Sequence, residues 1–162
     1  MQIIEASASL TRPADTTAYA SGDLIANSTT AGSVTPLTFF IPYGRGLRLA
    51  KVNLKRSATS VTNASFRLHL YKDSPTVTNG DNSAWLSIEA GYQGSVDIVG
   101  TSPAFSDAAK ATGTYVVNSN YAPFFLFTDA DQFIYGLLEA RGAYTPASAE
   151  IFTAYLIGEA YL

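Results

Sequence analysis

Apolar and polar residues alternate with a period of two through most of this chain, and that period demands strands. Phe66, Leu68 and Leu70 alternate with Arg67, His69 and Tyr71, which sends one set toward a core and the other away from it. Val96 and Ile98 alternate with Ser95 and Asp97, Leu37, Phe39 and Ile41 with Thr38 and Phe40, and Phe152, Ala154 and Leu156 with Thr153 and Tyr155. Turn signals separate these runs at residues 42–46, 79–82, 111–113 and 141–146. About eight or nine strands at intervals of about 10–20 residues predict an all-β, single-domain β-sandwich spanning 1–162. The intervals exceed what tight hairpins need, which favours a jelly-roll or Greek-key path. Little helix is expected, confined to short stretches at 83–89 and 106–111.

Three local departures refine this picture. Residues 124–127 (Phe-Phe-Leu-Phe) and 133–138 (Phe-Ile-Tyr-Gly-Leu-Leu) are apolar on both faces, so the face turned away from the core must meet a loop, another sheet or a partner chain. Between Leu47 and Leu54 the pattern slips phase, from Leu47/Leu49 to Val52/Leu54, as a β-bulge would make it. Residues 149–162 are too apolar to hang in water and read as a C-terminal strand, while 1–9 read as an N-terminal arm or edge strand.

Composition narrows the function classes. Charged residues are only 14% of the 162 and hydrophobic residues 47%, so Ser, Thr, Asn, Gly and Ala must cover much of the surface. Such a surface repels its own copies weakly and desolvates at low cost, which suits protein contacts. The net charge of −3 and the absence of a long basic run lack the footprint of a nucleic-acid binder. There is no cysteine, which excludes thiol catalysis, Cys-ligated zinc and disulfide stapling. The first ten residues do not read as a signal peptide, and no run approaches the ~20 apolar residues of a membrane span. A soluble protein made in the cytoplasm is expected, with no membrane partner.

The chain offers little for catalysis, and no catalytic residue or cofactor is expected. His69 is the sole histidine, with no Gly-x-Ser-x-Gly elbow to serve, and reads as a surface or interface residue. Asp73, Asp81, Asp129, Asp131, Glu139 and Glu150 are the carboxylates from which a glycosidase pair would be drawn. Asp73, Asp81, Asp129 and Asp131 form oxygen-rich turns of the kind that can hold calcium, although the same residues shape turns through their own hydrogen bonds. Ten Tyr, nine Phe and the single Trp85 fall mostly on inward strand phases or in the doubly apolar runs. Trp85 follows a turn and reads as an anchor for a loop.

Three phrases carry a resemblance. They are residues 11–28, opening Thr11-Arg12-Pro13 and including Asp15-Thr16-Thr17, Tyr19 and Ser21-Gly22-Asp23; residues 66–71 with Ser74-Pro75-Thr76 and residues 81–85; and residues 138–150, from Leu138 to Glu150. Together they resemble small virion structural proteins of tailed bacteriophages. The resemblance implies a non-enzymatic particle component, foremost a capsid decoration or cement protein located on the virion. Its implied partners are its own copies, as dimer or trimer, and a major capsid protein or other virion protein. A tail, baseplate or fibre protein, a carbohydrate-binding module and a glycan-acting enzyme are the alternatives. Interface contacts are expected from the N-terminal arm and the C-terminal strand, with Ile3, Ile4, Phe124, Phe125, Tyr155, Ile157, Tyr161 and Leu162 as candidates.

Overall fold

A computed structural model describes residues 2–42, 44–58, 64–86, 91–98, 111–116 and 124–161, of which 111–116 and Phe124 are described by backbone alone. Ten strands follow one another in the described chain: β1 (Gln2–Thr11), β2 (Leu24–Ile25), β3 (Leu37–Phe40), β4 (Gly46–Arg56), β5 (Phe66–Tyr71), β6 (Tyr92–Ile98), β7 (Ala111–Val116), β8 (Phe124–Phe127), β9 (Phe133–Ala140) and β10 (Ile151–Tyr161). One turn of 3₁₀ helix, Ala31–Ser33, is the only helical element among the described residues.

All pairings are antiparallel and build two sheets. The first runs β1-β10-β4, with β7 and β8 both on the far edge of β4; the second has β9 at its centre, flanked by β5-β6 on one side and by β2 and β3 on the other. Taking β2 and β3 as one interrupted strand, and β7 and β8 as another, leaves eight. The first then pairs with the last, the second with the seventh, the third with the sixth and the fourth with the fifth. That nesting is a long hairpin rolled up on itself, the jelly roll.

The period-two runs face where alternation places them. Phe39, Phe66, Leu68, Leu70, Phe152, Ala154 and Leu156 are fully buried between the sheets. Phe66 meets Tyr144 and Phe152 edge to face, with centroids 5.4 and 5.7 Å away. The phase slip in β4 is a bulge: Ile157 pairs with Lys51 and Gly158 with Leu49, leaving Ala50 over. Gly158 is the residue this geometry needs, because a Cβ there would run into the Arg48 carbonyl.

Two expectations are corrected. Residues 111–113 are not a turn but open β7, where Ala111, Thr112 and Gly113 pair with Arg56, Lys55 and Leu54. Gly113 looked like a chain reversal, but sheet pairing with β4 overrides that local preference. The expected helix at 83–89 is absent over its described part, since Ala84 bridges to Asp23 and Trp85 N–H donates to the Gly22 carbonyl. The expected helix at 106–111 lies outside the described residues except for Ala111, which is in a strand.

The outer face of the second sheet is covered by the chain itself. Leu24, Ala26, Tyr71 and Leu137 form a second apolar cluster there, with Val34, Val77 and Trp85 from the loops packed on it. The doubly apolar β9 therefore meets loops. The outer face of the first sheet has no such cover among the described residues.

Candidate assembly interface

Buried ion pairs account for most of the residues on which chemistry was conceivable. At one end of the sandwich, Tyr19 and Tyr144 bridge through their backbones and stack at 6.3 Å with rings 5° from parallel. Each hydroxyl joins an arginine to a carboxylate. Arg12 Nε donates to Tyr19 (2.8 Å), which donates to Asp81 (2.7 Å), and Arg12 Nη2 reaches Asp81 at 3.2 Å. Arg56 Nη1 donates to Tyr144 (2.9 Å), which donates to Glu150 (2.5 Å), and it also reaches Glu150 at 3.3 Å. The carboxylates further accept the N–H groups of Ala26 and Ala147. Burial pushes Tyr19 and Tyr144 well above the usual phenol range, reinforced by their acidic neighbours. Burial also raises Asp81, against the hydrogen bonds and Arg12 charge that favour its anion.

His69 departs from its expected surface role. It is buried on the outer face of β5, stacked on Trp85 at 3.8 Å and bonded to Glu139 Oε2 at 2.6 Å. The alternation that marked it as outward is correct; what covers it is Trp85, delivered by a loop. With the proton on Nε2, Nδ1 accepts from the Tyr92 hydroxyl at 3.2 Å. Burial lowers the His69 pKa, outweighing the pull of Glu139. Glu139 is shared with Arg141 at 2.8 Å, which weakens that pull.

Of the four oxygen-rich turn residues, Asp81 and Asp129 are likewise in structural use. Asp81 is held as above. Asp129 Oδ1 accepts the N–H groups of Asp131 and Phe133, and its Oδ2 accepts the Tyr135 hydroxyl at 2.7 Å, which pushes Tyr135 up to about 12. Asp73 is exposed beside Gly91. Among the described residues no three metal-ligating side chains converge. An open cleft of about 850 Å³ lies between Arg45, Lys72, Phe127 and Gln132; among the described residues the one carboxylate lining it is Asp129, whose oxygens are already bonded. Glycoside hydrolysis needs a free carboxylate pair, and the cleft's described lining does not provide one.

The uncovered outer face of the first sheet is different in kind. Read across β1, β10 and β4, its rungs are Ile3–Glu159–Arg48, Glu5–Ile157–Lys51, Ser7–Tyr155–Asn53 and Ser9–Thr153–Lys55. Phe125 extends the first rung and Phe127 pairs with Gly46 opposite Tyr161. Ile3 is 78% exposed, Phe127 62%, Phe125 45% and Ile151 42%. Phe125 packs on Tyr161 at 5.6 Å, Lys55 lies over the Tyr155 ring at 5.1 Å, and Arg48 pairs with Glu159 at 3.2 Å.

Five of the expected contact residues, Ile3, Phe125, Tyr155, Ile157 and Tyr161, thus share one face. Ile4 does not: it is the inward neighbour of Ile3, 8% exposed and part of the core. An apolar residue beside another on an edge strand points the opposite way, so the pair could not serve one surface. The Phe124 side chain and Leu162 lie outside the described residues. Phe127 and Ile151 were missed; the outward phase of β8 and β10 carries the signal for both.

No protein-family model matches the chain, and no curated protein matches it. Among solved structures, it aligns with a chain of the full particle of Israeli acute paralysis virus heated to 63 degrees, at 16% identity over 96% of this chain and 71% of that one, TM-score 0.30. It aligns with a chain of Triatoma virus at 9% identity over 91% and 65%, TM-score 0.27. A family two carbohydrate esterase from Cellvibrio japonicus aligns at 10% identity over 98% and 36%, TM-score 0.18. Alignments this loose carry no argument about function, whether for a particle or for an esterase.

Proposed function

We propose that this chain is a non-enzymatic structural component of a virus particle, and specifically a decoration or cement protein on the capsid of a tailed bacteriophage. The observation that carries the reading is the uncovered sheet face, on which Ile3, Phe125, Phe127 and Ile151 stand exposed. The sequence resemblance supplies the particle. A small rigid sandwich with one adhesive face can bridge capsid subunits, adding contact area and avidity that no single contact has.

Its partners in this reading are its own copies and a major capsid protein. Quantitative mass spectrometry and image reconstruction of purified virions test it. The expected result is a chain present at a fixed high ratio to the capsid protein, ordered on the shell, and missing when Ile3 and Phe125 are changed to Asp. A few copies at the tail or baseplate would move the post; absence from the virion would end the reading.

One observation favours a carbohydrate-binding role instead: Phe127 stands exposed at a cleft that also offers Arg45 and Gln132. Glycan-array binding that disappears in Phe127→Ala would select it.

A further inference from the structure

The uncovered sheet face has a charge order that selects its own partner. On the rung Glu5–Ile157–Lys51 an acid stands on one side of an aliphatic residue and a base on the other. Their backbones lie two strands apart, about 10 Å, with Ile157 between them, and no ion pair joins the two among the described residues. Glu5 is exposed, Lys51 and Ile157 half-buried. The cations of the face, Arg48, Lys51 and Lys55, all stand on β4, whereas Glu5 stands on β1 and Glu159 on β10, where it already holds Arg48. Between Glu5 and the basic column, β10 presents Tyr155, Ile157, Glu159 and Tyr161 outward.

A two-fold axis lying in the plane of the face closes it on a second copy, and its two limiting directions, across the strands and along them, are not equal. A two-fold axis across the strands stacks β4 on β4 and brings its cations toward their own copies. A two-fold axis along β10 exchanges the outer columns and keeps each rung level. Glu5 of each copy then meets Lys51 of the other, Ile3 comes beside Arg48 and Phe125, and Tyr155, Ile157 and Glu159 meet their own copies on the axis, with the charge of each Glu159 offset by the Arg48 it already holds. Opposite charges at contact and apolar groups at the centre are the arrangement that association rewards. A face three strands wide and about eleven residues long covers roughly 500 Å² per copy, at the lower end of the range of a specific interface.

We infer that the chain forms a two-fold dimer, face to face through the outer surface of β1, β10 and β4 about an axis along β10, with a Glu5–Lys51 pair on each side of an Ile157–Ile157 contact. The inference rests on the building-block reading and names the partner as a second copy.

Light scattering and native mass spectrometry of the purified chain test it. The expected mass is that of two 17.2 kDa chains. Ile157→Asp should give one chain at the same concentration while circular dichroism and melting show an intact sandwich. Glu5→Lys and Lys51→Glu should each weaken dimerisation at least about tenfold, and the double exchange should restore it, since the swapped charges meet again across the interface. A monomer at all accessible concentrations overturns the dimer. So does a dimer indifferent to Ile157→Asp, which would point to pairing at the free edge of β1, and so does a double exchange that fails to rescue. If the chain is monomeric yet its face variants lose particle binding, the dimer is overturned and the virion reading stands.

Discussion

Arg12 shows how much of this molecule hangs on single polar residues. Its guanidinium is fully buried, and together with Tyr19 it neutralises and bonds Asp81, which is 4% exposed. Replacing it with Met leaves a buried carboxylate without its cation, so Arg12→Met should destabilise by about 3–5 kcal/mol in urea unfolding. Tyr19→Phe removes one hydrogen bond from each neighbour and should cost about 1–3 kcal/mol. His69 carries a pH prediction. Its folded pKa lies below the unfolded value near 6.5, so below that pH the unfolded chain binds more protons. Stability should therefore fall as pH drops through 6.5 toward the lowered folded pKa, and be fully present above 6.5. Melting temperatures between pH 7.5 and 5 check this, and His69→Gln should flatten that part of the profile.

At the level of elements, the bulge in β4 and the glycine opposite it form one unit. Ala50 is extra, β10 must pass close to the Arg48 carbonyl, and only a residue without Cβ can do so. Gly158→Ala should destabilise by about 1–3 kcal/mol, read as a lower denaturation midpoint with an unchanged slope. The bulge was legible in the sequence because it shifts the apolar phase. The strand at β7 was not, because Thr-Gly is equally at home in a turn and only pairing with β4 decides between them. The cover over β9 was half legible: its two apolar faces announced that something lies on the outside, and the loop that brings Trp85 onto His69 became visible only in three dimensions. Trp85→Ala should loosen that loop, with faster amide exchange in residues 76–86 and little change in the inner sandwich.

For the whole molecule, the two sheets differ in what covers their outer faces. Loops close the second, and nothing among the described residues closes the first, which concentrates the exposed Ile3, Phe125, Phe127 and Ile151. The three phrases behind the bacteriophage resemblance converge in the fold: Arg12, Tyr19, Asp81, Tyr144 and Glu150 are among their residues and form the stacked clasp at one end. Those phrases are thus signatures of structure. In the proposed function, contact with partners belongs to the other surface, the first sheet's outer face. Its variants should change assembly and leave folding intact, while clasp variants should do the reverse. Parallel measurement of oligomer mass and melting temperature separates the two.

By itself the sequence determined the all-β class, the inward residue of nearly every alternating run, the bulge and the strand ending the chain, because period and phase are local properties of a pleated backbone. Only the tertiary structure decided that His69 is buried, that Asp81 and Glu150 belong to ion pairs, and that Ile4 faces the core while Ile3 faces out. Those outcomes depend on which residue from a distant part of the chain arrives on a given face. Alternation says that two neighbours point in opposite directions, and the roll of the sheets decides which direction is water.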